Sequence, residues 1–540
     1  MPSNEYPEEA VDPERSVIEL VHWVLSTSAH LAIGVVLGML AARAMRSRHL
    51  HWSWAAGALA VIVVGSHGSG DVALTLAVAA LTATVRGRRW HREDLEAGAD
   101  LADIAAARTH PLNLLCSLTA AAALRLRERL GSERHQRTGE LTLGVDESRR
   151  AVSIPFGGEG GGTHALVVGA TGSGKTVTQT WIAVRAIERG MGAVVIDPKG
   201  DGGMREQVQR AAMLAGRSFV EWTPGGHSVY NPYARGGASE IADKALAGER
   251  FTEPHYLRQA QRYLGHVVRT LRASGSEVSL HAIVEHLDPE RLEVLARELA
   301  ETDARGTFAY LDSLSARQRS DLAGVRDRLA ILAESDVGPW LDPRTAGVEQ
   351  FDLLSAVRQR AVVYFSLECD SRPLLSEMLG AAIVQDLQTT VASLQASPVA
   401  TLVVIDEFSA VAADHVVRLF GRARSAAFSL LLGTQELSDL RLPGRERLLE
   451  QVLGNLSVLI AHRQVVPDSA ELIASVAGTR GAWRVSRHSE GKTTRVRTRT
   501  QVLDPNRVMS LGRGWAAVLV LGDGASARVT RMFSPARRRR

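Results

Sequence analysis

Residues 165–176 read Ala-Leu-Val-Val-Gly-Ala-Thr-Gly-Ser-Gly-Lys-Thr. Ala165, Leu166, Val167 and Val168 form a short apolar run of the buried-strand kind, and Val177 to Ile187 continues with helical character. Between them Gly169, Ala170, Thr171, Gly172, Ser173, Gly174, Lys175 and Thr176 make a complete phosphate-binding loop. In this setting the glycines let backbone N–H groups wrap a triphosphate at a helix N-terminus. Lys175 is placed to reach the β/γ-phosphates of ATP, and the Thr176 hydroxyl to hold Mg²⁺. The chain has only four lysines, Lys175, Lys199, Lys244 and Lys492, among 63 Lys and Arg residues. A sequence this rich in arginine keeps lysine where a compact point charge is wanted.

The second half of a nucleotide-hydrolysing site lies downstream. The apolar run Thr401 to Ile405 ends in Asp406-Glu407. Asp406 suits the magnesium shell and Glu407 suits orienting and polarising an attacking water. A further strand, Phe428 to Gly433, ends in Thr434-Gln435, where an amide can sense the γ-phosphate. Ser457 to Ala461 runs into His462-Arg463. Arg422 and Arg424 fall on the expected helix before the Gln435 strand, away from their own phosphate loop. Either can serve a neighbouring subunit's nucleotide as an arginine finger, or be a plain surface arginine.

Around these motifs strands alternate with helices. Ala193 to Ile196 leads into Asp197-Pro-Lys-Gly-Asp201, and Ala361 to Ser366 precedes a helical Leu375 to Leu394. Runs apolar enough to be buried on both faces predict a parallel α/β sheet. Glu140 to Gly144 and Ala151 to Pro155 read as a strand pair leading in, and Gly157–Gly162 as a plain loop. From about Asn231 to Asp342 helical patterns dominate, which predicts an all-helical insertion. Arg495, Arg497 and Arg499 share one face of an expected strand, either tracking phosphates or facing solvent.

At 540 residues the chain holds roughly two to four domains. Two isolated cysteines, Cys116 and Cys369, exclude a disulfide framework. The 17 histidines form no cluster at metal spacing, and a net charge of +4 does not by itself argue for nucleic acid. The first ~90 residues belong to a different solvent. Trp23 to Ala42 has no Asp, Glu, Lys or Arg and the length of one bilayer span. A second apolar region, Trp54 to Val85, is interrupted by Gly65 to Asp71. Arginines follow both: Arg43, Arg46 and Arg48, then Arg86, Arg88, Arg89 and Arg92. The positive-inside rule puts both clusters in the cytoplasm, which two simple spans cannot do. Either the second region is a hairpin that dips in and returns, or the 43–51 loop lies outside.

Gly169–Thr176, Asp197–Asp201, Asn231-Pro232 before a helical stretch, Leu402–Phe408, Ala423-Arg424-Ser425 and Gly433-Thr-Gln435 occur in this order. Together with the two hydrophobic regions they resemble the coupling proteins of conjugation and type IV secretion, the TraG/TraD group, over roughly residues 20–533. The resemblance implies an α/β, RecA-like P-loop domain with an inserted all-helical domain and an N-terminal helical membrane anchor. It further implies an ATPase in a hexameric ring, using ATP and Mg²⁺. Its partners would be single-stranded DNA with a relaxase, and channel components. It places the motor in the cytoplasm, held at the inner membrane by two spans with both termini cytoplasmic.

In that group the arginine eleven residues before the strand-end glutamine is the intersubunit finger, so Arg424 is preferred to Arg422, with Arg463 as the next candidate. The expected boundaries are 1–95 for the anchor, 96–138 for a helical connector, 139–230 and 346–535 for the two parts of the nucleotide domain, 231–345 for the insertion and 536–540 for a basic tail. Rival readings are a double-stranded DNA translocase of the FtsK type and a membrane scaffold with little ATPase activity.

Overall fold

The apolar runs fold as strands covered on both faces. The computed structural model describes residues 13–47, 50–65, 70–96, 139–157, 162–249, 251, 253–368, 372–411, 413–441, 447–487, 493–522 and 525–535. The expected connector beyond Glu96, the basic tail and the middle of the Gly157–Gly162 loop lie outside the described residues. The chain divides into two compact units, a larger one built on Ala151–Gly478 and a smaller one holding the N-terminal helices and Thr479–Thr500. The expected nucleotide domain thus gives up the segment Thr479–Thr500 to the other unit.

In chain order the strands of the larger unit begin with β1 (Glu140–Asp146), β2 (Ala151–Pro155), β3 (Ala165–Val168), β4 (Gly192–Asp197) and β5 (Phe219–Trp222). They continue with β6 (Ser228–Tyr230), β7 (Glu349–Phe351), β8 (Val362–Ser366), β9 (Thr401–Ile405), β10 (Phe428–Thr434) and β11 (Val458–Ala461). After β12 (Thr479–Arg487) and β13 (Thr493–Gln501), which pair as a separate hairpin, come β14 (Trp515–Val520) and β15 (Ser526–Met532). The main sheet has 11 strands in the order β2-β1-β15-β14-β11-β3-β10-β9-β4-β8-β5.

From β11 to β5 all pairings are parallel. The flank from β14 to β2 is antiparallel, so the sheet is mixed. Alternation at period two explains the continuous apolar runs: Leu166, Val194, Phe365 and Val403 point to one face, and Val167, Val195, Tyr364 and Val404 to the other. Helices Lys175–Glu188 and Gly202–Leu214 cover the second face, burying Ile182, Ala186 and Val208. Ile182 and Val208 each contribute about 1.5–3 kcal/mol of burial.

Between β6 and β7, which pair with each other, helices alternate with turns: Ala238–Ala245, Pro254–Ala273, Leu280–His286, Pro289–Arg297, Glu301–Asp312 and Ala316–Ala333. Ser279, Asp288 and Ser315 cap three of them with side-chain oxygens, worth about 1 kcal/mol each. The base of this insertion is pinned by Lys244, which is 1% exposed. Its ammonium donates to Asp386 Oδ1 at 2.6 Å and to the carbonyls of Pro232 and Arg235, while the Tyr230 hydroxyl donates to Asp386 Oδ2 at 2.7 Å. All three lysine donors are used, as a buried ammonium requires.

The smaller unit contains α1 (Pro13–Ser47), α2 (Ser53–Gly65) and α3 (Gly70–Glu96). The second hydrophobic region is therefore two helices. Val17–Arg46 and Gly70–Trp90 are long and apolar enough to cross a membrane. Their apolar side chains are turned outward, Trp23 at 65% and Val36 at 58% exposure. A Cβ at Gly38 would lie 2.5 Å from the Ala79 carbonyl oxygen, and one at Gly34 2.8 Å from that of Thr75. The Gly34–Gly38 spacing lets the two backbones approach, as small residues do between helices in lipid.

Candidate nucleotide site

β3, β10 and β11 run side by side and deliver their C-terminal ends to the phosphate loop. Gly169 N–H donates to the Thr434 carbonyl, Ala170 N–H to that of Arg463, and Gly514 N–H to that of Ser173. Gly172 and Gly174 have φ of 76° and 115°, a region that disfavours a side chain. A Cβ at Gly169 would fall 2.5 Å from His462 Cβ. His462 is fully buried and held in place by Thr178, which donates to Nε2 at 2.9 Å, and by the Trp515 carbonyl, which accepts from Nδ1 at 3.1 Å. Burial pushes its pKa down to about 4, so the ring is neutral beside the loop.

Lys175, Asp406, Glu407 and Gln435 converge at this edge. Lys175 Nζ donates to both Glu407 oxygens at 3.1 Å and lies 3.7 Å from Asp406 Oδ1. Gln435 Nε2 donates to Glu407 Oε2 at 3.2 Å, and Gln435 Oε1 accepts from Thr171 Oγ1 at 3.1 Å, so the amide bridges loop and carboxylate. Glu407 adopts φ of 47°, a strained backbone for a side chain of this length, and Asp406 Oδ1 accepts its N–H. Gly433 leaves room for these side chains: a Cβ there would fall 2.4 Å from Gln179 Nε2 and 2.6 Å from Asp406 Oδ1.

One residue went unassigned in the sequence. Lys199 Nζ donates to Glu407 Oε2 at 2.8 Å, making a second ammonium on the same carboxylate. The Asp197–Asp201 turn presents it. Asp197 Oδ1 accepts from the backbone N–H groups of Lys199 and Gly200 at 3.0 Å, and Oδ2 from the Tyr364 hydroxyl at 2.5 Å. Asp201 then caps the helix Gly202–Leu214. Burial by itself would raise the Glu407 carboxyl, but the Lys199 hydrogen bond and the Lys175 charge outweigh it and hold it below its ordinary value. Asp406 goes the other way: burial raises it against the pull of Lys175, and the Glu407 charge adds to the rise.

The donor set fits Mg²⁺. Asp406 and Thr176 offer hard oxygens, and beside them the buried Ser173 Oγ and Gln179 side chain have no hydrogen-bond partner among the described residues.

The arginines separate by place. The helix Ala413–Ala423 ends before Arg424, so Arg422 is in its last turn and Arg424 one residue beyond. Both are exposed. The Arg424 carbonyl accepts from Gly162 N–H, and its guanidinium donates to Ser457 Oγ at 3.3 Å. Arg424 thus sits at the N-terminal edge of β3, β10 and β11, about 20 Å of strand from its own loop. Arg463, also exposed, flanks that loop through its carbonyl. Arg497 and Arg499 are exposed on β13, and the side chain of Arg495 lies outside the description.

Residues 400–513, which carry Asp406, Glu407, Arg424 and Gln435, match the family described as the TraM recognition site of TraD and TraG. That segment is of the TraG/TraD type. Residues 148–335 match the central domain of helicase HerA. The fold is that of the bacterial conjugative coupling protein TrwBdeltaN70, at TM-score 0.54 and 18% identity over 75% of this chain and 91% of that one. TrwB in complex with ADP and Mg²⁺ gives TM-score 0.52 and 18% identity over 69% and 85%. VirB4 of Thermoanaerobacter pseudethanolicus gives 0.51 and 14% over 74% and 97%. An uncharacterized protein of Mycoplasma pneumoniae is 31% identical over 104 residues, 19% of this chain and 69% of its own length.

Proposed function

We propose that this TraG/TraD-type chain is an inner-membrane, ATP-hydrolysing motor that recruits a relaxase–DNA complex and moves single-stranded DNA toward a type IV secretion channel. The observation carrying this reading is the meeting of Lys175, Asp406, Glu407 and Gln435 at one sheet edge. TrwB forms complexes with ADP and Mg²⁺ and with a non-hydrolysable ATP analogue, which supports the same ligands here. The insertion between β6 and β7 favours a coupling protein over an FtsK-type translocase.

Thr176 and Asp406 would hold Mg²⁺, which would supply charge neutralisation to the phosphates. Lys175 exchanges its carboxylate partners for the β/γ-phosphates. Glu407 keeps Lys199 and Gln435 and polarises the attacking water, while Gln435 passes the state of the γ-phosphate to β10. Arg424, at the opposite edge, completes the site of the next subunit in a hexameric ring. The motor works on the cytoplasmic side, where ATP is available, and the spanning-length helices tether it.

Two variants test the division of roles. Lys175→Ala should abolish productive nucleotide binding, whereas Glu407→Gln should bind ATP with unchanged affinity and fail to turn it over. Wild-type turnover in Glu407→Gln would remove that carboxylate from its role.

A further inference from the structure

Contacts along α1 and α3 advance together. His30 Nδ1 lies 3.1 Å from Thr75 Oγ1, and His30 Nε2 lies 3.9 Å from Asp71 Oδ2. Gly34 faces Thr75 and Val78, and Gly38 faces Ala79 and Thr82. The Arg46 guanidinium then stands 5.1 Å from the Trp90 ring centre. Positions 30 to 46 of one helix thus meet positions 71 to 90 of the other in the same order, so α1 and α3 are parallel. The return helix α2 begins at the far end of α3, where Trp52 Cβ lies 3.0 Å from the Cβ position of Gly87 and the Arg88 guanidinium 5.7 Å from the Trp52 ring.

This arrangement gathers the arginines at one end of the bundle. Arg43 and Arg46 come from α1, and Arg86, Arg88 and Arg89 from α3, all exposed. Arg86 also stands 5.0 Å from the Trp90 ring, so tryptophan and arginine interleave there. Arginine stems with tryptophan rings suit the headgroup layer, and basic side chains there are attracted to an anionic surface. Toward the opposite end the sequence is acidic, with Glu8, Glu9 and Asp12 before α1 and Glu14 in its first turn. Length settles the path of α2. Its 13 residues rise about 20 Å, short of the ~30 Å hydrocarbon layer. α1 continues from His30 back to Val17, about 20 Å beyond the level of Asp71.

We propose that the Arg/Trp end is a docking surface for the anionic headgroups of the cytoplasmic leaflet, so that α1 crosses the bilayer once, α2 and the start of α3 form a hairpin that enters and returns, and the two ends of the anchor leave on opposite faces. Both arginine clusters then obey the positive-inside rule, which two antiparallel spans cannot achieve. The proposal rests on the membrane-anchored reading and replaces the expectation that both termini are cytoplasmic.

The test uses the full chain with an N-terminal and, separately, a C-terminal epitope tag, and protease added to intact spheroplasts. The expected result is complete loss of the N-terminal tag with the C-terminal tag intact until lysis. A Ser3→Cys variant avoids the bulk of a tag and should react with a membrane-impermeant maleimide before lysis. Protection of the N-terminal probes until lysis would overturn the proposal. Recovery of the protein in the soluble fraction would overturn the anchored reading itself. Replacing Arg43, Arg46, Arg86 and Arg88 with Gln should leave only part of the population with an accessible N-terminal tag. An undiminished accessible fraction would deny the arginines their orienting role.

Discussion

Two long apolar helices of this chain live in different surroundings. The helix Pro373–Ser393 buries Leu379, Ala382, Ile383 and Val384 against the sheet, none more than 3% exposed. α1 turns Trp23, Leu25 and Val36 outward, each more than half exposed. Apolar content is not what separates them. Pro373–Ser393 carries Asp386, whose carboxylate needs Lys244 and Tyr230 to be buried at all, whereas α1 has a charge-free stretch from Trp23 to Ala42. A motor core sorts its residues by the partners they find, and the anchor by the solvent they meet. Exposure therefore carries different weight in the two regions.

Arg424 sharpens this most. It is exposed in the motor, yet an arginine finger is worth ~10³–10⁵ in turnover. Arg424→Ala should bind ATP normally and hydrolyse it poorly, and mixing it with Lys175→Ala subunits should restore activity at interfaces that pair an intact loop with an intact finger. Weakened ATP binding, or no recovery in rings that contain both variants, would make Arg424 a residue of its own subunit. Next in size is Phe365→Ala, a fully buried ring on β8, which should cost about 3–5 kcal/mol in chemical denaturation.

Lys199→Ala should slow turnover about tenfold to a hundredfold, the worth of a charged hydrogen bond, at unchanged nucleotide affinity, with Lys199→Arg retaining most of the rate. A change in affinity instead of rate would place Lys199 on the phosphates. In the anchor, Gly38→Ile should loosen the α1–α3 crossing by about 1–3 kcal/mol, read as faster unfolding in detergent. Val36→Ala, on the outward face of the same helix, should change that rate by less than the equivalent of about 0.5 kcal/mol. If these two behaved alike, the contrast between the packed and outward faces of α1 would fail.

Much of the nucleotide site was legible because its residues follow apolar runs. Asp406, Glu407 and Gln435 stand just past strands that hydropathy marks, Lys175 opens the helix after the loop that follows β3, and parallel strands bring such ends to one edge. Lys199 was visible within Asp197–Asp201, but its reach to Glu407 depends on β4 lying beside β9, a neighbourhood that spacing does not encode. His462 is the same case, since it touches Thr178 only because β11 lies next to β3. β14 and β15 went unread because their place is fixed by pairing with β11 and β1 across long sequence gaps. In the anchor, the interruption of the second apolar region between Gly65 and Asp71 was legible from its glycines. The parallel run of α1 and α3 was not, although Gly34-x-x-x-Gly38 was a signal for it.

The central claim is that ATP turnover at Lys175 and Glu407 drives work on single-stranded DNA. Its most direct test is the ATP hydrolysis rate of the full-length protein in lipid vesicles, with single-stranded, double-stranded or no DNA. The account predicts hydrolysis that single-stranded DNA accelerates beyond double-stranded DNA, with all of it lost in Glu407→Gln. Hydrolysis indifferent to DNA, or surviving in Glu407→Gln, would contradict it.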